Sequence, residues 1–130
     1  MAVQGRALLI EGDPGSGKSS LALALIDRGA SLIGDDGVRL FLAGDCVQAS
    51  PPPRITGLLE VRGVGLICLP TVSAPVCLIL RLDTAAPRSP DYVEQRELLG
   101  RKVPVLLLQP HAAALALRAE HALALYGLSG

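Results

Sequence analysis

The chain has 130 residues, a mass of 13.5 kDa, and twelve basic residues against twelve acidic ones. That length suits one domain with a buried core, and an apolar half of the composition excludes a disordered chain. Balanced charge leaves no electrostatic footprint for nucleic acid. Pro, Gly or a charge interrupts every apolar run short of the roughly 20 residues of a membrane span. Residues 1–6 carry no basic stretch followed by an apolar core, so they do not read as a signal peptide. Cys46, Cys68 and Cys77 form no CxxC pair, and an odd count argues against a disulfide framework. The composition predicts a soluble cytoplasmic domain whose thiols are reduced and buried.

The first apolar run, residues 7–10, is short, continuous and followed by Gly and Pro, the pattern of a buried central strand. Residues 20–26 favour a helix that Arg28 and Gly29 close. Residues 31–33 read as a second strand ending at Gly34-Asp35-Asp36-Gly37, and residues 38–42 and 46–49 flank Gly44-Asp45 as a hairpin. Pro51-Pro52-Pro53 marks a surface connection. Residues 65–69 and 76–82 are two further buried-strand candidates, with a proline-broken loop over 83–91. A short helix is predicted over 92–99, a strand over 103–108, and a Leu/Ala-rich helix over 111–126 that stops at Gly127. No repeat or linker divides the chain, so residues 1–130 form one α/β domain.

Gly12-Asp13-Pro14-Gly15-Ser16-Gly17-Lys18-Ser19 satisfies G-x-x-x-x-G-K-[ST] at every fixed position. Its glycines let successive backbone N–H groups turn inward toward phosphate oxygens. A capped helix starting near Lys18 adds its positive dipole end. Lys18 supplies a point charge to the β- and γ-phosphates, and the Ser19 hydroxyl is placed to ligate Mg²⁺. An apolar strand before the motif and a helix after it complete the context, so nucleotide binding is expected.

Asp35 and Asp36 follow the second strand directly. Carboxylates at a strand end beside a phosphate loop hold Mg²⁺ or accept a hydroxyl proton, while an Asp-Asp-Gly surface turn explains the same residues. Like charges side by side raise at least one pKa, which favours a proton acceptor. In Glu60-Val61-Arg62-Gly63-Val64-Gly65 a carboxylate and a guanidinium stand two residues apart, on one side of an extended chain. A solvated salt bridge on a glycine-rich loop is the alternative.

Taken together these segments resemble the catalytic domain of bacterial HPr kinase/phosphorylase, in the short form without the N-terminal domain. The likeness rests on residues 12–29, on Gly34-Asp35-Asp36, and on residues 51–69, where Glu60 to Gly65 fits the family signature E-[IV]-R-G-x-G. It implies a single P-loop-containing kinase domain with a mixed, mostly parallel central sheet flanked by helices. It further implies a serine kinase that uses ATP and Mg²⁺ on the phosphocarrier protein HPr, with a reverse phosphorylase reaction from inorganic phosphate to pyrophosphate. By the same resemblance Gly12 to Ser19 bind the nucleotide, Lys18 is a catalytic cation, and Ser19 and Glu60 are the Mg²⁺ ligands. Asp36 takes the proton of the substrate serine, Asp35 supports it, Arg62 serves both directions, and a homo-oligomer is implied.

Two family features find no match. The family places a catalytic histidine on the strand before the phosphate-loop strand, and residues 1–11 contain none. Its P-V-x-P-G-R-N segment is replaced by Leu108-Gln109-Pro110-His111-Ala112, without the arginine. An alternative reading is therefore an ATP-binding regulatory module with little transfer. His111 and His121 lie ten apart on the last predicted helix, on different faces, and so form no two-histidine metal site. Each reads as ordinary helix surface or interior, and Arg101-Lys102 as a solvated pair.

Overall fold

A computed structural model describes residues 1–35, 37–53, 57–90 and 92–129. Two short strands open the chain, β1 (Ala2–Val3) and β2 (Arg6–Gly12), and helix α1 (Lys18–Asp27) follows the glycine-rich loop. The strands β3 (Arg39–Ala43) and β4 (Cys46–Ser50) form the expected hairpin, and β5 (Leu58–Val61) and β6 (Gly65–Cys68) form another. The remainder is β7 (Ala74–Leu82), β8 (Glu94–Leu98), β9 (Arg101–Leu108) and helix α2 (Leu115–Tyr126).

A seven-stranded sheet organises the domain, with β7 at its centre. Seven of the nine β7 residues are buried, because neighbours cover both faces of this strand. Along one side it pairs in parallel with β2, from Ala7↔Val76 to Gly12↔Leu82. Along the other it meets β4 antiparallel at its start and β9 in parallel at its end. The α/β mixed sheet is thus as expected, but among the named strands only β2, β7 and β9 pair in parallel. The flanking hairpins add antiparallel ladders, so the expected mostly parallel sheet is corrected to a parallel core with antiparallel edges.

Both helices lie on one face of the sheet, where Leu8, Leu78 and Leu80 pack with Leu21, Leu25 and Leu123. On the opposite face Ile33, Val47, Ala49, Val76, Ile79 and Val105 form a second apolar layer. Burying each such leucine or isoleucine contributes roughly 1.5–3 kcal/mol. A glycine-dependent motif ends α1: Gly29 adopts φ 104°, and the Gly29 and Ala30 N–H groups return to Ile26 and Leu25 carbonyls at 2.9 Å each.

Three sequence expectations change. Residues 92–99 contain the edge strand β8 rather than a helix, paired antiparallel with β9 from Glu94↔Val105 to Leu98↔Arg101. Leu99 and Gly100, at φ 50° and 82°, supply the tight turn between them. The predicted buried strand over 65–69 is a largely exposed hairpin arm. Residues 31–33 make isolated bridges, Ala2↔Ser31 and Leu32↔Thr71, although Leu32 and Ile33 are fully buried. Among the described residues, no helix is long and apolar enough to cross a membrane. Cys77 is buried, whereas Cys46 and Cys68 are exposed, so the expectation of three buried thiols holds for one.

Candidate functional site

The glycine-rich segment sits where β2 ends and α1 begins, on the helix-bearing side of the parallel core. Gly15 and Gly17 adopt φ 82° and 96°, a left-handed geometry that lets the backbone curl around a small anion. Gly17 occupies the N-cap position of α1, with no side-chain cap. The capped start expected from the sequence is therefore replaced by a bare one, which leaves first-turn N–H groups available to an anion. Ser16 Oγ is buried inside the loop with no hydrogen-bond partner, and a Cβ added at Gly12 would collide with it. This narrow polar cradle fits phosphate oxygens.

Lys18 Nζ donates to the Gly12 carbonyl at 2.9 Å, holding its charge against the loop. Ser19 Oγ donates to Asp35 Oδ1 at 2.8 Å, and the backbone N–H of Glu60 donates to Asp35 Oδ2 at 3.3 Å. One carboxylate thereby ties the start of α1 to the β5–β6 hairpin. That hairpin carries Glu60 on its first arm and Arg62 in its turn, where Gly63 takes φ 82° and Val64 N–H returns to the Val61 carbonyl. Leu59, fully buried, anchors it to the helix-side core.

These groups surround an open cavity of about 480 Å³. Lys18, Ser19, Glu60 and Arg62 line it, together with Pro14, Gly15 and Gly17 of the loop. Asp13 is exposed at the loop's outer side. Asp36 lies outside the described residues. The fold thus gathers the phosphate loop and the Glu60–Arg62 segment at one opening, with Asp35 bonded to both Ser19 and the Glu60 N–H.

Mg²⁺ keeps several waters and takes few protein oxygens besides those of a phosphate. The Ser19 hydroxyl, the Asp35 carboxylate it touches and the Glu60 carboxylate at the cavity wall have the hard-oxygen chemistry such an ion requires. Among the described residues no cluster of three or more His, Cys, Asp or Glu side chains stands ready for a metal. An ion here would accordingly lean on phosphate oxygens.

Two groups at the site lie beyond the sequence expectations. Glu11, directly before Gly12, accepts from Arg96 Nη1 of β8, and Arg81 Nη1 of β7 lies 3.8 Å from its other oxygen. The Glu11 carboxylate favours the charged form of Arg96 and raises its pKa. These pairs fasten the strand end that carries the loop. His111 precedes α2 rather than belonging to it: it adopts φ 59°, and its Nε2 lies 3.0 Å from the Gly15 carbonyl. Neither contact was legible in the sequence, since the Glu11–Arg96 pair and the His111–Gly15 contact each join residues more than eighty positions apart.

Comparison with known proteins shows the family and the fold. The model of the HPr Serine kinase C-terminal domain matches residues 1–73. The chain belongs to this family. It is 39% identical over 99 residues to the HPr kinase/phosphorylase of Burkholderia cenocepacia (strain HI2424), covering 72% of this chain and 31% of that protein. The HPr kinase/phosphorylase of Paraburkholderia phymatum gives the same identity and coverage. The chain therefore spans about a third of the length of these curated relatives. Among solved structures, the Hpr(Ser) kinase/phosphatase from Coxiella burnetii superposes with a TM-score of 0.85 at 29% identity. That likeness covers 95% of this chain and 84% of the other, so it extends past the family-matched segment into β7–β9 and α2.

Proposed function

We propose that this chain is a serine kinase domain that uses ATP and Mg²⁺ to phosphorylate an HPr-type phosphocarrier protein. The observation that carries this reading is the convergence of Lys18, Ser19, Glu60 and Arg62 on one opening, with Asp35 hydrogen-bonded to Ser19 behind it. In this reading the loop N–H groups and Lys18 bind and orient the nucleotide's phosphates, and Arg62, on the cavity wall, serves transfer in both directions. Bound Mg²⁺ would neutralise phosphate charge, held by Ser19 and Glu60. Asp36 accepts the serine proton in this reading and Asp35 fixes Ser19, so most of the catalysis is positioning and charge neutralisation.

The reverse reaction, with inorganic phosphate as acceptor and pyrophosphate as product, belongs to the same proposal through the family relatives. A homo-oligomer is likewise proposed by kinship. The deciding experiment incubates the purified chain with HPr and Mg²⁺-ATP, with Lys18→Ala as control, and reads phosphoserine by mass spectrometry. Lys18-dependent product supports the reading. ATP binding without product would favour a regulatory module instead.

A further inference from the structure

The phosphate loop accounts for only one end of the cavity. Leu23 and His111 also line it, and neither belongs to the glycine-rich motif. Leu21 and Leu25, on the same helix, are at most 2% exposed, yet Leu23 is 38% exposed. It therefore presents an apolar side chain to the cavity rather than to the core. The chain has three aromatic residues, Phe41, Tyr92 and Tyr126, and none of them lines this cavity. The imidazole of His111 is the aromatic ring that does.

That ring is held in place. The Gly15 carbonyl can only accept, so Nε2 carries the hydrogen and commits this edge of the ring to the loop. A Cβ built on Gly17 would lie 3.1 Å from Cε1 and 3.2 Å from Nδ1, so the ring occupies the space that the missing side chain leaves. The backbone of His111 is also in the left-handed region, which few non-glycine residues adopt without a compensating contact. An oriented ring at the rim of a phosphate loop, in a cavity that an exposed leucine also lines, matches the needs of a heterocyclic base.

We propose that His111 is the nucleoside-positioning residue of this site, its ring packing on the base while Leu23 supplies apolar surface beside it. The inference rests on the nucleotide reading above and specifies its ligand: a nucleoside triphosphate rather than a bare polyphosphate. Calorimetry with Mg²⁺-ATP and, separately, Mg²⁺-tripolyphosphate tests it on the wild-type chain and on His111→Ala, His111→Asn and Lys18→Ala. Base stacking predicts that His111→Ala weakens ATP roughly five- to a hundredfold and leaves tripolyphosphate within about twofold. Asn accepts the left-handed backbone, so the same selective loss in His111→Asn separates the ring from backbone strain. Equal weakening of both ligands would make His111 merely a prop for the loop and overturn the proposal, as would unchanged ATP affinity. Failure of the wild-type chain to bind either ligand, or indifference of both to Lys18→Ala, would instead sink the nucleotide reading beneath it.

Discussion

The hydroxyl of Ser19 is hydrogen-bonded to the carboxylate of Asp35 at 2.8 Å, across sixteen residues of chain. Asp35 also receives the Glu60 N–H. One side chain therefore sets the spacing between the first turn of α1 and the hairpin bearing Glu60 and Arg62.

Asp35→Asn and Asp36→Asn should separate accordingly. Asp35→Asn weakens the Mg²⁺-dependent part of ATP affinity, because the charge that orients Ser19 is gone. Asp36→Asn leaves that affinity and lowers phosphate transfer by about 10²–10⁴-fold, the usual cost of losing a general base. ATP titrations with and without Mg²⁺, beside single-turnover transfer to HPr, distinguish them. Near-full transfer by Asp36→Asn would remove that residue from its role.

Gly17→Ala places a methyl group in a φ 96° backbone and against the His111 ring. The variant should be destabilised by about 1–3 kcal/mol and lose most ATP binding. Thermal melts and titration check both effects, and wild-type affinity would show that the loop tolerates a side chain there.

Thiol accessibility divides the cysteines two to one. Cys46 and Cys68 are exposed, while Cys77 is enclosed in β7, with its Sγ 3.3 Å from the Pro75 carbonyl. Burial also pushes the Cys77 thiol above its ordinary pKa, further suppressing the reactive thiolate. An Ellman titration should therefore show two fast equivalents and a third released only on unfolding. Three fast equivalents would mean that the sheet opens readily.

The Met1 ammonium is buried, donates to the Leu8 carbonyl at 3.0 Å, and is lowered to a pKa of about 5 by desolvation. A base with a depressed folded pKa disfavours folding once it must carry charge. The contribution of this group to stability is complete above pH 8, falls as pH drops from 8 toward 5, and levels off below that. The difference amounts to up to about 4 kcal/mol. Urea melts of the free-amino chain and of an N-acetylated chain should diverge over this window, and parallel curves would refute the assignment.

How much of this was legible depended on whether a residue's role is local. The loop motif and the 38–49 hairpin carry their geometry in adjacent glycines and apolar spacing, and both stand where the sequence put them. The strand Glu94–Leu98 did not announce itself, because Glu, Gln and Arg favour helix by propensity. Pairing with β9 overrides that preference, and charges are common on an edge strand because they discourage further pairing. His111 was hidden for a related reason. The Ala/Leu run over 111–126 reads as continuous helix, but left-handed residues at His111 and Ala114 delay its start to Leu115.

The central position of β7 has a bearing on how the chain acquires its shape. The motif-bearing strand β2 has only the two-residue β1 for company until residues 74–82 arrive, since its six-residue parallel register lies entirely on β7. The segment matching the family model stops at residue 73, one residue short of that support. During synthesis the glycine loop thus emerges early but matures late, after a long-range closure that is slow relative to local hairpins. A nascent chain released before β7 would carry the glycine loop, Asp35-Asp36 and the Glu60–Gly65 segment yet lack the central strand beside β2.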